Sequence, residues 1–370
     1  MAMSLRTRVI QLADPGWRAN ARNLGTLVEP GWARAGRRDE LGALFVRHYA
    51  AIRGVCEGVR TPGLVVVAVE PERVVGTLVL RARPGRVASA IVGRHGSADL
   101  CLPDPELALR QLCLLVQEVG AGRVRLGVLD LHTHSGFEDE AGRRLEALEA
   151  EGPVFVRCAG YALFCLPTGD GAPPGEVWPE EPAAGLACVP ARIYLGEREA
   201  EPDRWLRRER RLRADADEDG DAGEPGGGAR GGLAAGTTLV TTRPGLAQLD
   251  EAAVAPHELA GELWLASGRG APGTRFAISD QALGRGLLIG RYARCDTRTS
   301  AVLADPSLSR VHLLLLRLGG EVLAVDTASS NGCRDARGQG FRVLPLEPGQ
   351  RIALGRHTAL EWRPRPRLWC

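Results

Sequence analysis

Lysine is missing altogether. Every one of the 47 basic residues is arginine, as codon bias in a GC-rich genome produces. The 45 acidic residues nearly cancel them, leaving a net charge of +2, so no basic excess argues for nucleic acid. No apolar run approaches the ~20 residues that a membrane span needs. The opening MAMSLRTRVIQLADPGW has neither the apolar core nor the small-residue cleavage site of a secretory signal. The nine cysteines include no C-x-x-C pair. An odd, unpatterned set reads as buried thiols in a reducing compartment, Cys370 at the end being the one placed for exposure. The expectation is a cytoplasmic protein with no membrane and no nucleic-acid partner.

What is present is organised in blocks. Residues 1–60 read as an N-terminal extension. PGWRA at 15–19 and PGWARA at 30–35 are turns that each present a Trp. After them Leu41, Leu44, Phe45, His48, Ile52 and Cys56 recur at helical spacing and predict one amphipathic helix. Residues 61–168 are short apolar or alternating runs separated by Pro and Gly, the pattern of a sandwich or barrel. Residues 169–258 form an acidic, Gly-rich linker with a helix expected at 201–213. Its run from Ala214 to Gly232 has too little apolar surface to order itself. Asp215, Asp217, Asp219 and Gly220 mimic the start of a calcium loop, but Gly226 stands where the bidentate Glu belongs, so they read as solvated linker. The strand-turn pattern returns over 259–364.

The two strand-rich blocks match each other. Gly76–Arg94 lies over Gly273–Arg291 without a gap, Leu102–Val116 over Leu303–Leu316, and Val128–Gly142 over Ala324–Gly338. Order and spacing hold across about ninety residues, which argues for an internal duplication.

The second block carries IGR (Ile289–Arg291), SRVH (Ser309–His312) and SSNG (Ser329–Gly332), in that order. On these residues, across roughly 260–364, it resembles the forkhead-associated (FHA) domain. The resemblance implies an all-β fold: two FHA-like sandwiches in tandem behind a short helical extension, joined by a partly disordered linker. It also implies a reader of phosphothreonine peptides, with no enzymatic activity, no cofactor and no metal. A Ser/Thr kinase or its substrates would be the partner. His312 would brace the binding loops, as that histidine does in the family.

The residues themselves suit that task. A phosphothreonine presents about −1.5 to −2 charges and three strong acceptor oxygens. Arg291 offers a planar fork for two of them, Ser309 a hydroxyl, and Arg310 a second cation. Ser330 adds a small polar group, and Asn331 can clamp peptide backbone on either side of the modified residue. Gly290 and Gly332 allow tight turns and close approach. Taken singly, Arg291, Ser309 and Asn331 read as ordinary turn residues; the constellation reads as a site. The first copy keeps Gly93 and Arg94 but has Ala108, Leu109, Gln111 and Ser135 where the second has Ser309, Arg310, His312 and Asn331. It is expected to keep the sandwich and not to read phosphothreonine.

Other classes compete. Asp130-Leu131-His132-Thr133-His134 resembles the first metal motif of polymerase-and-histidinol-phosphatase phosphoesterases, in which His132 and His134 would share a metal. Only His257, His312 and His357 follow, too few for the remaining ligands. A structural adaptor for unphosphorylated partners is another reading. Finally, Thr237, Thr238, Thr241 and Thr242 either form an ordinary strand or supply an intramolecular phosphothreonine that closes onto the second copy.

Overall fold

The computed structural model describes residues 7–9, 41–120, 122–133, 135–169, 178–195, 237–243, 246–247, 254–268, 273–292, 295, 301–318 and 320–365. The Pro-Gly-Trp turns, the helix expected at 201–213, the acidic run at 214–232, His134 and Cys370 lie outside the described residues.

The amphipathic stretch folds as two helices rather than one, α1 (Leu41–Arg47) and α2 (Tyr49–Glu57). The break falls at His48, whose Nε2 lies 2.9 Å from the Glu70 carbonyl and 3.2 Å from that of Pro71. The imidazole thus ties the helix joint to a strand turn. The apolar positions named from the sequence, Leu41, Leu44, Phe45, Ile52 and Cys56, are all buried.

Each strand-rich block is a sandwich of two sheets. In the N-terminal one, the first sheet runs β1 (Thr7–Val9), β3 (Val74–Arg81), β2 (Gly63–Val69), β12 (Tyr161–Thr168), β11 (Val154–Cys158), β8 (Phe137–Glu138), β9 (Arg144–Leu145). The second runs β13 (Ala191–Leu195), β14 (Thr237–Arg243), β10 (Ala147–Ala150), β7 (Arg123–Asp130), β6 (Leu112–Gly120), β4 (Val87–Gly93), β5 (Leu100–Cys101). In the C-terminal sandwich the orders are β16 (Thr274–Ser279), β15 (Leu259–Ser267), β24 (Thr358–Pro364), β23 (Arg351–Leu354), β20 (Cys333–Arg334), β21 (Gly340–Phe341), and β17 (Leu287–Ile289), β18 (Leu313–Leu318), β19 (Glu321–Asp326), β22 (Val343–Pro345). Remove β1, β5, β13 and β14, and the N-terminal orders repeat the C-terminal ones strand for strand.

The segment expected to be linker differs from that expectation in two places. β13 pairs in parallel with β14, and β14 pairs antiparallel with β10, so both belong to the first sandwich. Thr237, Thr238, Thr241 and Thr242 are therefore strand residues, and Thr238 is buried. The idea of a free threonine tether is corrected on that ground: 237–243 is hydrogen-bonded at both edges, so the segment would have to leave its sheet to reach the loops of the second copy. A helix, α3 (Pro182–Cys188), also comes from this segment. It packs with α1 and α2, where Tyr49 Oη donates to the Pro179 carbonyl at 2.7 Å.

Several strands are apolar on both faces. Leu64, Val66 and Ala68 of β2 enter the sandwich core, while Val65, Val67 and Val69 lie under the helices with Phe45, Tyr49 and Ile52. In β18, Leu313 and Leu315 enter the core and Leu314 and Leu316 point out of it. The outward pair does not meet water. With Leu288, Leu323 and Val325 it packs on Ile91, Cys113 and Leu115 of the first copy, and Leu246 fills the seam. The two sandwiches are thus joined face to face by a third apolar layer. Runs such as LVVVAV and LLLL record that two-sided burial. Among the described residues no helix is long and apolar enough to cross a membrane, and no cysteine is in a disulfide.

Candidate functional site

The site residues converge at one end of the C-terminal sandwich, where the chain leaves β17, enters β18, and turns between β19 and β20. Gly290 sits where this crossing is tightest. A Cβ there would stand 2.2 Å from the Arg310 carbonyl oxygen, so no side chain fits without moving backbone. The two loops are stitched by Arg291 N donating to the Ser309 carbonyl at 3.2 Å and Tyr292 N to that of Arg310 at 2.9 Å.

His312 is fully buried. Its Nδ1 accepts from Ser309 N at 2.9 Å, and its Nε2 faces the Gly332 carbonyl at 3.3 Å. That assigns the neutral Nε2–H tautomer and makes the ring a bridge between the two binding loops. Burial lowers its pKa, although Asp326 pulls the other way. Gly332 has φ +71°, which fits its place as a turn glycine.

Arg291 is exposed, and its Nε donates to the Leu308 carbonyl at 2.6 Å. The side chain is held by one nitrogen, and among the described residues it forms no ion pair. Ser309 is buried, its Oγ accepting from Ser330 N at 2.8 Å and lying 3.4 Å from Ser330 Oγ. Ser330 and Arg310 are exposed beside it. Asn331 is half-buried and donates through Nδ2 to the Ser307 carbonyl at 2.6 Å, with Oδ1 left to accept. All the residues named from the sequence are therefore in this one loop cluster.

The sequence reading missed a second tier. Asp305 accepts from Ser307 N through Oδ1 and from Thr358 Oγ1 through Oδ2. Burial would raise its pKa, but these bonds outweigh it and hold the carboxyl below its usual range. Ser307 Oγ in turn accepts from Arg356 N at 3.0 Å, and Arg334 Nη1 reaches the Gly355 carbonyl at 3.3 Å. The Asp-Pro repeated at 104–105 and 305–306 was the available signal.

The same frame recurs in the first copy. Arg94 Nε donates to the Leu107 carbonyl at 3.0 Å, and Arg94 N to that of Ala108 at 3.0 Å. Gln111 stands in for the histidine. Its Oε1 accepts from Ala108 N at 2.9 Å, and its Nε2 faces Ser135 Oγ at 3.1 Å and the Gly136 carbonyl at 3.2 Å. His132 adopts φ +54°, as Ala328 does at φ +60° in the second copy. The supposed metal ligand His132 places Nε2 3.2 Å from the Leu246 carbonyl. Among the described residues no three His, Cys, Asp or Glu side chains form a metal-sized group. Nearby Asp130 is pushed up to about 6 by burial, against the hydrogen bonds it accepts from Thr133.

Residues 287–355 match the family model of the FHA domain. Solved structures similar to part of the chain include the Mycobacterium tuberculosis Rv1747 FHA-1 domain, at 26% identity over 28% of this chain and 98% of that one, TM-score 0.22. Another is an FHA domain described for phosphothreonine-dependent interactions, at 27% identity over 28% and 98%, TM-score 0.24. A third is the FhaA FHA domain in complex with the intracellular domain of Rv3910, at 27% identity over 27% and 99%, TM-score 0.23. Scores of this size carry no weight alone. No curated protein matches the chain. On the family model and the residues above, the C-terminal sandwich is an FHA domain, and the N-terminal sandwich repeats its strand order, with Ala108, Leu109, Gln111 and Ser135 where the other has Ser309, Arg310, His312 and Asn331.

Proposed function

We propose that this chain is a phosphothreonine-peptide reader acting downstream of a Ser/Thr kinase, and that reading resides in the C-terminal sandwich alone. One observation carries this most: Arg291 is exposed, pinned through Nε, without an acidic partner among the described residues, and set beside the Ser309–Ser330 pair. A dianion placed there would meet an exposed guanidinium of which only Nε is engaged among the described residues, two hydroxyls, and Arg310 at the rim. Asn331 would hold peptide backbone through Oδ1 while Nδ2 stays on Ser307. Gly290, His312 and Gly332 shape and brace the loops. The strands on either side fix these groups before binding, which limits the ordering cost.

The chain is a binding module in this reading, not an enzyme. The phosphothreonine comes from a partner, since the nearby threonines of β14 are held in a sheet. Ala108 and Leu109 leave the first copy with Arg94 as its one strong phosphate contact, and it reads no phosphothreonine. The test is a titration of the full chain with a degenerate phosphothreonine peptide pool and its unphosphorylated twin. Binding is expected only for the phosphorylated pool and is expected to fall by at least a hundredfold in Arg291→Ala, since charge-assisted bonds contribute about 1.5–3 kcal/mol each. Equal binding of both pools, indifferent to Arg291→Ala, would establish the unphosphorylated-partner adaptor instead.

A further inference from the structure

We infer that the degenerate N-terminal sandwich serves as a built-in brace for the phosphopeptide loop of its neighbour, with Arg110 as the positioning residue. This rests on the reading of the C-terminal loops as the binding site.

The loop from Thr327 to Gly332 carries Ser330 and Asn331. Its entry is strained: Ala328 is a buried non-glycine residue in the left-handed region at φ +60°, a conformation that costs on the order of 1 kcal/mol and persists only when the surroundings fix it. Here Thr327 N donates to the His312 carbonyl of its own sandwich at 3.2 Å, and the carbonyl side of the turn is held by the other sandwich. Arg110 Nε donates to the Thr327 carbonyl at 2.6 Å and its Nη2 to the Ala328 carbonyl at 2.6 Å. Ser97 Oγ donates to the Ala328 carbonyl as well, at 3.1 Å. The Arg110 fork is 8% exposed, so it is committed to this contact rather than to solvent. Burial lowers the Arg110 pKa, with Asp326 pulling the other way; Asp326 also accepts from Ser329 N at 2.9 Å and so starts the same loop. A second arm lies alongside, where Asp99 of the first copy pairs with Arg342 of the second.

The arrangement is one-sided. Arg110 aligns with Val311 in the duplication, and Val311 can only pack in the apolar seam. The copy that lost its phosphate hydroxyl, second cation and clamp amide is the one that extends a guanidinium into its neighbour's loop. Removing that fork would leave the buried Thr327 carbonyl without its donor and the Ala328 carbonyl on Ser97 Oγ alone, loosening a strained residue two positions before Ser330. Groups that grip a phosphate lose much of their effect when displaced by about 0.5 Å.

The experiment uses the full chain with Arg110→Met, Arg110→Lys, Ser97→Ala, and Leu314→Ala as a control that loosens the same seam away from the loop. Two readouts are taken: affinity for the degenerate phosphothreonine pool, and amide hydrogen exchange at residues 329–331. Arg110→Met is expected to weaken binding about tenfold and to speed exchange in the loop. Arg110→Lys restores part of both. Ser97→Ala moves both in the same direction by two- to threefold, which keeps the test decisive should Arg110→Met not fold. Leu314→Ala lowers the unfolding midpoint with affinity unchanged. Affinity within twofold of wild type in Arg110→Met, with unaltered loop exchange, would overturn the brace. So would an affinity loss in Leu314→Ala equal to that in Arg110→Met. If the wild-type chain binds no phosphothreonine at all, the reader falls, and the exchange readout decides the brace by itself.

Discussion

At position 312 an imidazole and at position 111 a carboxamide bridge the same two loops, each with one acceptor and one donor. The duplication therefore contains its own control for a substitution. His312→Gln should keep the bridge, while His312→Ala leaves the Ser309 amide and the Gly332 carbonyl without it and should cost about 1–3 kcal/mol in thermal or denaturant unfolding. The two bridges differ in acid. Burial lowers the His312 pKa, so the folded protein holds that proton more weakly than the unfolded chain. The stability it contributes is intact above about pH 6.5 and is lost as pH falls through the lowered folded value. Asp130 runs the opposite way. Its carboxyl, raised to about 6 by burial, contributes stability that is complete below about pH 3.9 and is lost as pH rises through about 6. That contribution is common to wild type and His312→Gln and cancels in their difference. The unfolding midpoint of wild type is thus expected to drop relative to His312→Gln on acidification from pH 7.5 to 5. Parallel pH profiles for the two proteins would contradict the assignment of a neutral, bridging His312.

Among elements, β14 separates most from what its sequence suggests. GTTLVTTRPG reads first as a strand, because β-branched residues favour strands, and second as a phosphorylatable tether, because clustered threonines also suit a kinase. The sheet decides for the strand. Gly152 packs so closely that a Cβ there would stand 2.3 Å from Thr238 Oγ1. Thr238→Asp would place a carboxylate in that contact, and we expect a loss on the order of 3 kcal/mol. The β14 amides should exchange as slowly as those of β10, its hydrogen-bonded neighbour. Rapid exchange over 237–243, or efficient phosphorylation of Thr238 in the folded protein, would show the strand to be detachable. The end of β17 carries a companion prediction. Gly290→Ala must move the Arg310 carbonyl, so phosphopeptide affinity should fall by about tenfold or more while the far ends of the sandwich stay intact, as judged by amide chemical shifts.

For the whole molecule, the apolar layer between the sandwiches matters more than either sandwich's own boundary. Leu288, Leu314, Leu316, Leu323 and Val325 would face water in an isolated C-terminal fragment. Exposed patches of that kind favour association. A fragment spanning 254–370 is expected to self-associate in sedimentation experiments or to unfold at a lower temperature than the full chain. A monomeric fragment with an unchanged midpoint would show that the seam contributes little. The cleft where the sandwiches part, lined by Leu115, Leu129, Leu148, Leu316 and Arg285, has a volume near 480 Å³. It lies on the outward face of the same strands that carry the seam.

By itself the sequence determined the two sandwiches, their register against each other, and the cluster of Arg291, Ser309, Ser330 and Asn331. Those features are local: a strand period, a turn glycine, and a short motif at fixed spacing each leave a mark within a few residues. The split at His48, the capture of 191–195 and 237–243 by the first sandwich, the seam and the reach of Arg110 were decided only by tertiary structure. Each depends on a partner far along the chain, 217 residues away for Arg110 and Thr327, and a contact across that distance imposes no periodicity on either segment. The continuous apolar runs of β2 and β18 showed strands of a sandwich or barrel. They could not say that helices cover one and a second sandwich the other.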